Sequence, residues 1–452
     1  MAPPHVQPAV AMAPVWDSTE GRGGVIAATT SWRDYFTDAR SRTLVEQALA
    51  NNQDVRTAVL RVDEARAAYR IQRADNLPTL VVQSGATRSR TPADLSLVGV
   101  PLVGNEFQVG LGIASWELDL WGRVHSLRDA ALENFLASDE ARRGITLSLI
   151  ARVVDTDLAL RELDERLVLA RRSMASRQET LRIFTRRVEV GSTSRLNLTQ
   201  VQTLLTQSQA LAAQLEQARA LQWHALALLV GAPLALPSQP ADDAASFPTL
   251  APGLPSDLLL QRPDIAAAEH ELKAAEANIG AARAAFFPRV ALTASFGTAT
   301  ADFSGLFAAG SQAWSLAPGI VAPLLDAGRL RGNLEVTKVR RELAIANYRS
   351  TVQSAFRDVA DALSSARWLD EQLTIAHTAL VTSTERARLS RLRFDNGAAA
   401  FLEVLDAQRD LLATEQQLVQ ARHALLRSHV ALYAALGGGS LVLAPAANAA
   451  PN

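Results

Sequence analysis

Apolar residues recur at intervals of three and four through two stretches of the chain. Leu147, Ile150, Val154, Leu158, Leu160, Leu163 and Leu167 mark the first; Leu343, Ala346, Val352, Phe356, Val359 and Leu363 mark the second. This is the period of an amphipathic helix, and the alanine-rich spacing suits close helix packing. Proline, the strongest helix breaker, is absent from 102–232 and from 324–444 although the chain holds 19 of them. The pattern predicts a helix over about 125–189, which at ~1.5 Å per residue runs roughly 100 Å, far beyond a globular domain. Shorter helices are predicted over about 42–76, 194–230, 263–286 and 400–436. Added end to end, each short pair is about as long as the long helix of its own half, so two stacked short helices lie against one long helix, giving four columns per chain. Gly191 and Gly397 punctuate the long tracts as turns.

A different period separates the helices. Phe107, Val109, Leu111 and Ile113 alternate with Gln108, Gly110 and Gly112, and Trp116-Glu117-Leu118-Asp119 follows. Val290, Leu292, Ala294 and Phe296 alternate with Ala291, Thr293, Ser295 and Gly297. One apolar and one small or polar face is the pattern of a barrel strand, and equally of a half-buried hairpin in a soluble α+β protein. Two hairpins supply four strands, whereas membrane barrels begin at about eight, and lipid tolerates no open sheet edge. Strands that enter a membrane therefore require an oligomer, and three chains would provide twelve. Pro318 and Pro323 are expected at a bulge or a strand end.

The chain repeats itself in register. Arg187-Val188-Glu189-Val190-Gly191 with Leu196 to Gln202 recurs as Arg393-Phe394-Asp395-Asn396-Gly397 with Leu402 to Gln408, at an offset of 206 (397 − 191). The Gly122-Arg123 and Gly328-Arg329 pairs and the glycines Gly231 and Gly437 keep that offset. Leu77-Pro78 matches Phe287-Pro288 at 210 (288 − 78), so one intervening loop differs by four residues. The organisation is a duplicated unit of helix, strand hairpin, long helix and short helix. Its expected parts are an extended segment over 1–40, a first repeat over 41–235 with strands at about 79–119, and a linker over 236–256. A second repeat over 257–440, with strands at about 289–325, and a tail over 441–452 complete it.

Composition narrows the chemistry. The 452 residues carry 45 basic and 46 acidic side chains, a net charge of −1, which gives no electrostatic case for nucleic acid. With no cysteine there are no disulfides, thiolate metal sites or cysteine nucleophiles. No run of about 18 apolar residues offers a transmembrane helix or a complete signal peptide. His423 and His429 are six apart, off the i, i+4 spacing of metal-binding helices, and Gly437-Gly438-Gly439 lacks the Lys-Ser/Thr of a phosphate loop. No catalytic constellation is legible. The expectation is a non-enzyme without metal or cofactor.

Four motifs, in order, bear a resemblance to a known family. They are Ser115-Trp116-Glu117-Leu118-Asp119-Leu120-Trp121-Gly122-Arg123, Gln261-Arg262-Pro263-Asp264-Ile265 with Ala268-Glu269, Ile279 to Pro288 (IGAARAAFFP), and Ala435-Leu436-Gly437-Gly438-Gly439. Together they resemble the signatures of the outer-membrane efflux channel family, the TolC-like channels, over roughly residues 30 to 440. Most similar are the lipoprotein channels of resistance-nodulation-division pumps. The resemblance implies a mainly α protein with a β-barrel part: a homotrimer forming a 12-stranded outer-membrane β-barrel joined to a long periplasmic α-helical barrel. It implies a passive exit channel for small molecules such as drugs, in outer-membrane lipid, with a periplasmic adaptor protein and an inner-membrane pump as partners. The lipoprotein branch begins its mature chain with an acylated cysteine and a proline-rich stretch; Pro3, Pro4, Pro8 and Pro14 supply the stretch, and the cysteine is absent. A coiled-coil scaffold and a type I secretion duct are the alternatives.

The same resemblance selects residues. Glu403 and Asp406, three apart on one helix face, match acidic positions that point into the pore near its closed tip, a gate and selectivity element. The other repeat carries Asn197 and Gln200 there, so one copy alone is charged. Val190, Gly191, Ser192 and Thr193, with Asn396, Gly397, Ala398 and Ala399, form the tip turns that meet the adaptor. Arg186, Arg187, Arg391 and Arg393 flank those turns and are expected to bridge neighbouring helices in the closed state.

Overall fold

The computed structural model describes residues 1–10, 24–234, 246–251, 253 and 258–442. Pro14, most of the 236–256 linker and the tail beyond residue 442 lie outside the described residues.

The same series of elements is laid out twice. A short strand β1 (Val25–Ile26) and one helical turn α1 (Trp32–Tyr35) precede α2 (Ala39–Asn51), α3 (Gln53–Ala74), β2 (Leu80–Thr91), β3 (Leu102–Glu117), α4 (Arg123–Glu189) and α5 (Arg195–Val230). The second series is β4 (Leu250–Ala251), α6 (Leu258–Gln261), α7 (Pro263–Ala284), β5 (Arg289–Thr300), β6 (Gln312–Val321), α8 (Arg329–Asp395) and α9 (Phe401–Ala435). The long helices α4 and α8 have 67 residues each. The segment before α2 is irregular over residues 1–10 but folds locally over 25–35, where an extended chain was expected. Two compact units emerge: Met1–Ala9, Leu60–Asp139 and Ala267–Ser350 form the first; Val10–Val59, Glu140–Ala266 and Thr351–Asn452 form the second.

The first unit holds an antiparallel sheet in the order β2-β3-β5-β6. Its register aligns Val82, Leu111, Phe296 and Trp314 in one row and Leu80, Ile113, Ala294 and Leu316 in another, all on one face. The opposite face carries Gln83, Gln108, Ser295, Ser315 and the facing pair Gly110–Gly297. A Cβ on Gly110 would fall 2.5 Å from the Phe296 carbonyl, so glycine is required where these backbones approach. The ladder shifts between Ile113 and Trp116, a β-bulge that returns Trp116 to the apolar face opposite Leu292. Pro318 sits inside β6, paired with Leu292, rather than at a bulge or strand end; β6 is an edge strand, which tolerates a missing N–H. Pro323 lies beyond the strand, as expected.

Below the sheet, Glu117 accepts from Arg123 at 2.7 Å and Arg289 at 2.8 Å. Trp121 stacks on Phe287 at 4.9 Å and donates to the Pro288 carbonyl. The N-terminal residues run along α7 and α8: Arg283 donates to the Met1 carbonyl, His5 contacts Glu276 at 2.9 Å, and Gln7 donates to Tyr348.

The second unit has one main core, from Trp32, Tyr35, Phe36, Leu149, Val153, Leu158, Leu226, Val359 and Tyr433. Tyr35 stacks on Tyr433 at 4.5 Å, and β1 pairs with β4 in parallel. The helix expected over 42–76 is two helices. Asn52 interrupts it: its side-chain oxygen caps Asp54 and Val55 N–H, and its amide donates to the Leu229 carbonyl at the end of α5. Arg262 plays the same part in the second copy, donating to the Ala435 carbonyl at the end of α9. At each junction a left-handed glycine seats against the break, and a Cβ on Gly231 or Gly437 would come 2.7 Å from the carbonyl of Asn51 or Gln261. The stacked short helices are thus joined by matching polar contacts, each satisfying a helix-terminal carbonyl.

A buried ion cluster lies beside the first junction. Arg161 bonds Asp38 and, at 2.9 Å, Asp157; Arg40 pairs with Asp157 at 2.8 Å. Burial alone would push the Asp38 carboxyl up, but hydrogen bonds from Arg161 and Ser41 outweigh it, so its pKa lies below the ordinary value.

Candidate functional site: the tip hairpins and the strand face

The α4–α5 and α8–α9 turns are built alike. Each helix ends in a glycine with positive φ, 75° at Gly191 and 73° at Gly397, and the next N–H wraps back to the Arg187 or Arg393 carbonyl at 2.8 Å. This is a Schellman-type end, which glycine accepts without strain. Val190, Gly191, Ser192, Asn396, Gly397 and Ala398 are exposed, and Thr193 and Ala399 are half-buried. Nothing lies within 4 Å of where a Cβ on either glycine would sit. Thr193 accepts a hydrogen bond from Asn197 at 3.0 Å, and Ser194 caps α5 through the Asn197 N–H. Ala400, at the equivalent place on α9, provides no side-chain cap.

Below the turns, Phe184, Val201 and Leu405 are buried together with Leu198 and Phe401 packed against them. Phe401 contacts Phe184 at 4.4 Å and Phe394 at 4.9 Å, joining α4, α8 and α9. Glu403 and Asp406 bracket buried Val404 and Leu405 and are half-buried themselves, with side chains 39% and 41% exposed. Gln200 is half-buried at the position matching Asp406.

The four flanking arginines divide. Arg393 spans two helices, bonding Glu403 at 2.8 Å and the Ala398 carbonyl at 3.3 Å. Arg186 pairs with Glu189 at 2.9 Å and Arg391 with Asp395 at 3.1 Å, each within its own helix. Arg187 lies over the Phe184 ring at 5.6 Å. Within one chain, therefore, a single member of the set bridges helices.

Further charged residues join this region that sequence reading had not singled out. Asp406 meets Arg409 at 3.3 Å, Arg409 meets Asp410 at 3.1 Å, and Asp410 also accepts from Arg386. The Arg386 hydrogen bond, ahead of Arg409, holds the Asp410 carboxyl below its usual value. Arg177, almost fully buried, donates to the Leu204 carbonyl at 2.7 Å and to the Ser208 hydroxyl; burial, then the charge of Arg409, lowers its pKa. The Asp406–Arg409–Asp410 spacing was readable as helix-face pairing. The buried Arg177 had no such signal, because its partners are 27 and 31 residues away.

A sheet apolar on one face and two helices of 67 residues that end in matching glycine turns fit a channel component. Comparison with known proteins agrees. The model for the family described as "Outer membrane efflux protein" matches residues 44–232 and 254–438. The toluene efflux pump outer membrane protein TtgI of Pseudomonas putida is 40% identical over 97% of this chain and 95% of its own. Outer membrane protein OprJ of Pseudomonas aeruginosa is 40% identical over 97% of this chain and 92% of its own. The open-state MtrE outer membrane channel of Neisseria gonorrhoeae superimposes with a TM-score of 0.87 at 38% identity, covering 97% and 98% of the two chains.

The chain belongs to the outer membrane efflux protein family. It is an outer-membrane channel component of an efflux pump that works with inner-membrane and adaptor partners, and its role is transport.

Proposed function

We propose that three copies close into one exit duct, their twelve strands forming a barrel in the outer membrane. The observation that carries this is the sheet itself: four strands, apolar on one face, with β2 and β6 as free edges in the chain. Lipid leaves no N–H or C=O unpaired, so those edges must find one another on neighbouring copies. Exposed apolar residues in the helices support the same ring, for Trp368, Ile375 and Leu389 lie seven and then fourteen residues apart on α8, and Leu221 and Leu228 seven apart on α5.

The cargo is small organic molecules of the solvent and antibiotic kind, as the names of the relatives suggest for those pumps. Glu403 and Asp406 form the resting gate, six carboxylates about one axis, restrained by Arg393 and Arg409. Asn197 and Gln200 supply the uncharged positions between them. The adaptor docks on the exposed turns Val190–Thr193 and Asn396–Ala398, and opening separates hairpins held closed by Arg186, Arg187, Arg391 and Arg393. Energy comes from the pump.

Mass measurement of the detergent-solubilised particle tests the ring. Three chains of 48.5 kDa each, recovered from the membrane fraction, are expected. A detergent-free monomer would leave four strands without closure and end the proposal.

A further inference from the structure

The outward face of the sheet changes character along β2. Leu80 and Val82 begin it, Ser84 and Ala86 follow, and Arg88 and Arg90 complete it, alternate residues on the face shared with Leu111, Phe296 and Trp314. Arg88 lies opposite Asn105 and Arg90 opposite Val103. Both arginines are exposed, and neither has a hydrogen bond or ion pair among the described residues. The nearest acidic residues in sequence point elsewhere: Glu106 pairs with Thr87 on the opposite face, and Asp94 belongs to the connecting loop. The β5–β6 hairpin offers no cation on this face, where Thr298, Thr300 and Gln312 stand near its far end.

Height fixes what such a pair can meet. At ~3.3 Å per residue and a tilt of ~40°, Arg88 stands roughly 20 Å and Arg90 roughly 25 Å above Leu80. A barrel's apolar band is about 25 Å tall, so both guanidiniums reach its outer boundary. Aromatic residues mark the two boundaries independently: Trp121 and Phe287 at the helix end of the strands, Phe303 and Phe307 in the β5–β6 loop, the last two 71% and 80% exposed. An arginine at mid-depth on a lipid face costs about 2–4 kcal/mol, but at the boundary nearly nothing, where it can reach into the headgroups.

We propose that Arg88 and Arg90 form a binding site for the phosphate of a phosphorylated glycolipid of the outer leaflet, one site per chain. Two residues apart on one strand face, their side chains stand about 7 Å from each other, so both guanidinium forks can grip one phosphate group. Because β2 is an edge strand, the site lies at a seam between copies, and the bound lipid covers that seam. The assignment rests on the reading of the apolar face as the outer wall of a closed ring.

Native mass spectrometry of the full detergent-solubilised protein tests it, with bisphosphorylated lipid A, its dephosphorylated form and phosphatidylglycerol as probes. Expected is lipid A binding that falls at least about tenfold on removal of the phosphates, and similarly in Arg88→Gln/Arg90→Gln. Arg88→Lys/Arg90→Lys should fall between, keeping charge and losing the fork. Should the double variant fail to assemble, Arg90→Gln alone carries the comparison. Equal binding with and without phosphate, indifference to the substitutions, or a preference for phosphatidylglycerol would overturn the site. The same spectra report the number of chains, so failure of the ring is read separately from failure of the site.

Discussion

Laid over each other at their offset, the two repeats keep one set of features and discard another. The stack junctions survive: Asn52 to Leu229 in the first copy, Arg262 to Ala435 in the second, with Gly231 and Gly437 beside them. The side chains differ, but each donates to the same helix-terminal carbonyl. Charge clusters do not survive. Buried Asp157 of the first copy is buried Leu363 in the second, and Arg161, deep in its ion cluster, corresponds to exposed Arg367. At the tip the imbalance reverses, for Arg393 meets Glu403 where Arg187 has only Asn197 at the matching place. Arg177 bonding Ser208 becomes Ser383 bonding Thr414. Backbone hydrogen bonding must be satisfied in both copies, whereas side-chain charge differs between them; in the proposed three-chain ring, the charges of one copy at the tip would be multiplied about one axis.

The sharpest test of this contrast is alanine at the four left-handed glycines. Gly231→Ala and Gly437→Ala add a Cβ into backbone 2.7 Å away, whereas Gly191→Ala and Gly397→Ala meet open space. All four incur left-handed strain of ~1–2 kcal/mol, and overpacking adds ~1–3 kcal/mol at the junctions alone. Thermal melting by circular dichroism should therefore drop clearly further for the junction pair, and equal losses would mean that the junctions are no more constrained than the tips.

Next comes acid. The native pKa of Asp38 is lowered, so its contribution is complete above its unfolded value near 4 and is lost as pH falls through the native value. Denaturation followed from pH 7 downward should show destabilisation below about pH 4, and Asp38→Asn should flatten that limb. An unchanged acid limb in the variant would remove the first copy's ion cluster from the account.

At the gate, Glu403→Gln with Asp406→Asn should lower cation preference in planar bilayers and raise the resting conductance. Asn197→Glu with Gln200→Asp should do the reverse, giving Arg187 the partner that Arg393 already has. Wild-type currents from both doubles would mean that tip charge does not gate. The smallest expected effect is at the caps: Ser194→Ala should cost about 1 kcal/mol, and Ala400→Ser should recover about as much in the uncapped copy. Melting temperatures that move together in the same direction would contradict it.

The repeat, both strand hairpins and the helix order were legible because they rest on local period and on proline placement. The break at Asn52 was not, since asparagine is tolerated inside helices and the bond that secures the break comes from Leu229, 177 residues away. Arg262, immediately before a proline, gave a visible boundary by comparison. Pro318 looked out of place in a strand because edge position is a property of the sheet, absent from the segment itself. At the tip, the carboxylates were picked out by the resemblance, which their shared helix face fits, whereas the choice of Arg393 over Arg186 and Arg391 as the helix-bridging residue depends on which residue the hairpin turns toward it.

The bulge in β3 has a consequence for how this chain can change length. Along a strand of alternating faces every residue has a parity, and losing one residue ordinarily transposes everything beyond it. Between Ile113 and Trp116 the chain carries a spare residue that the ladder already steps around. Removing Ala114 or Ser115 would straighten the strand and leave Trp116 opposite Leu292 and Glu117 opposite Ala291, whereas removing Gln108 would exchange the apolar and polar faces for its neighbours. Single-residue deletions in this strand are thus tolerable at one address, the bulge, where parity is restored rather than lost.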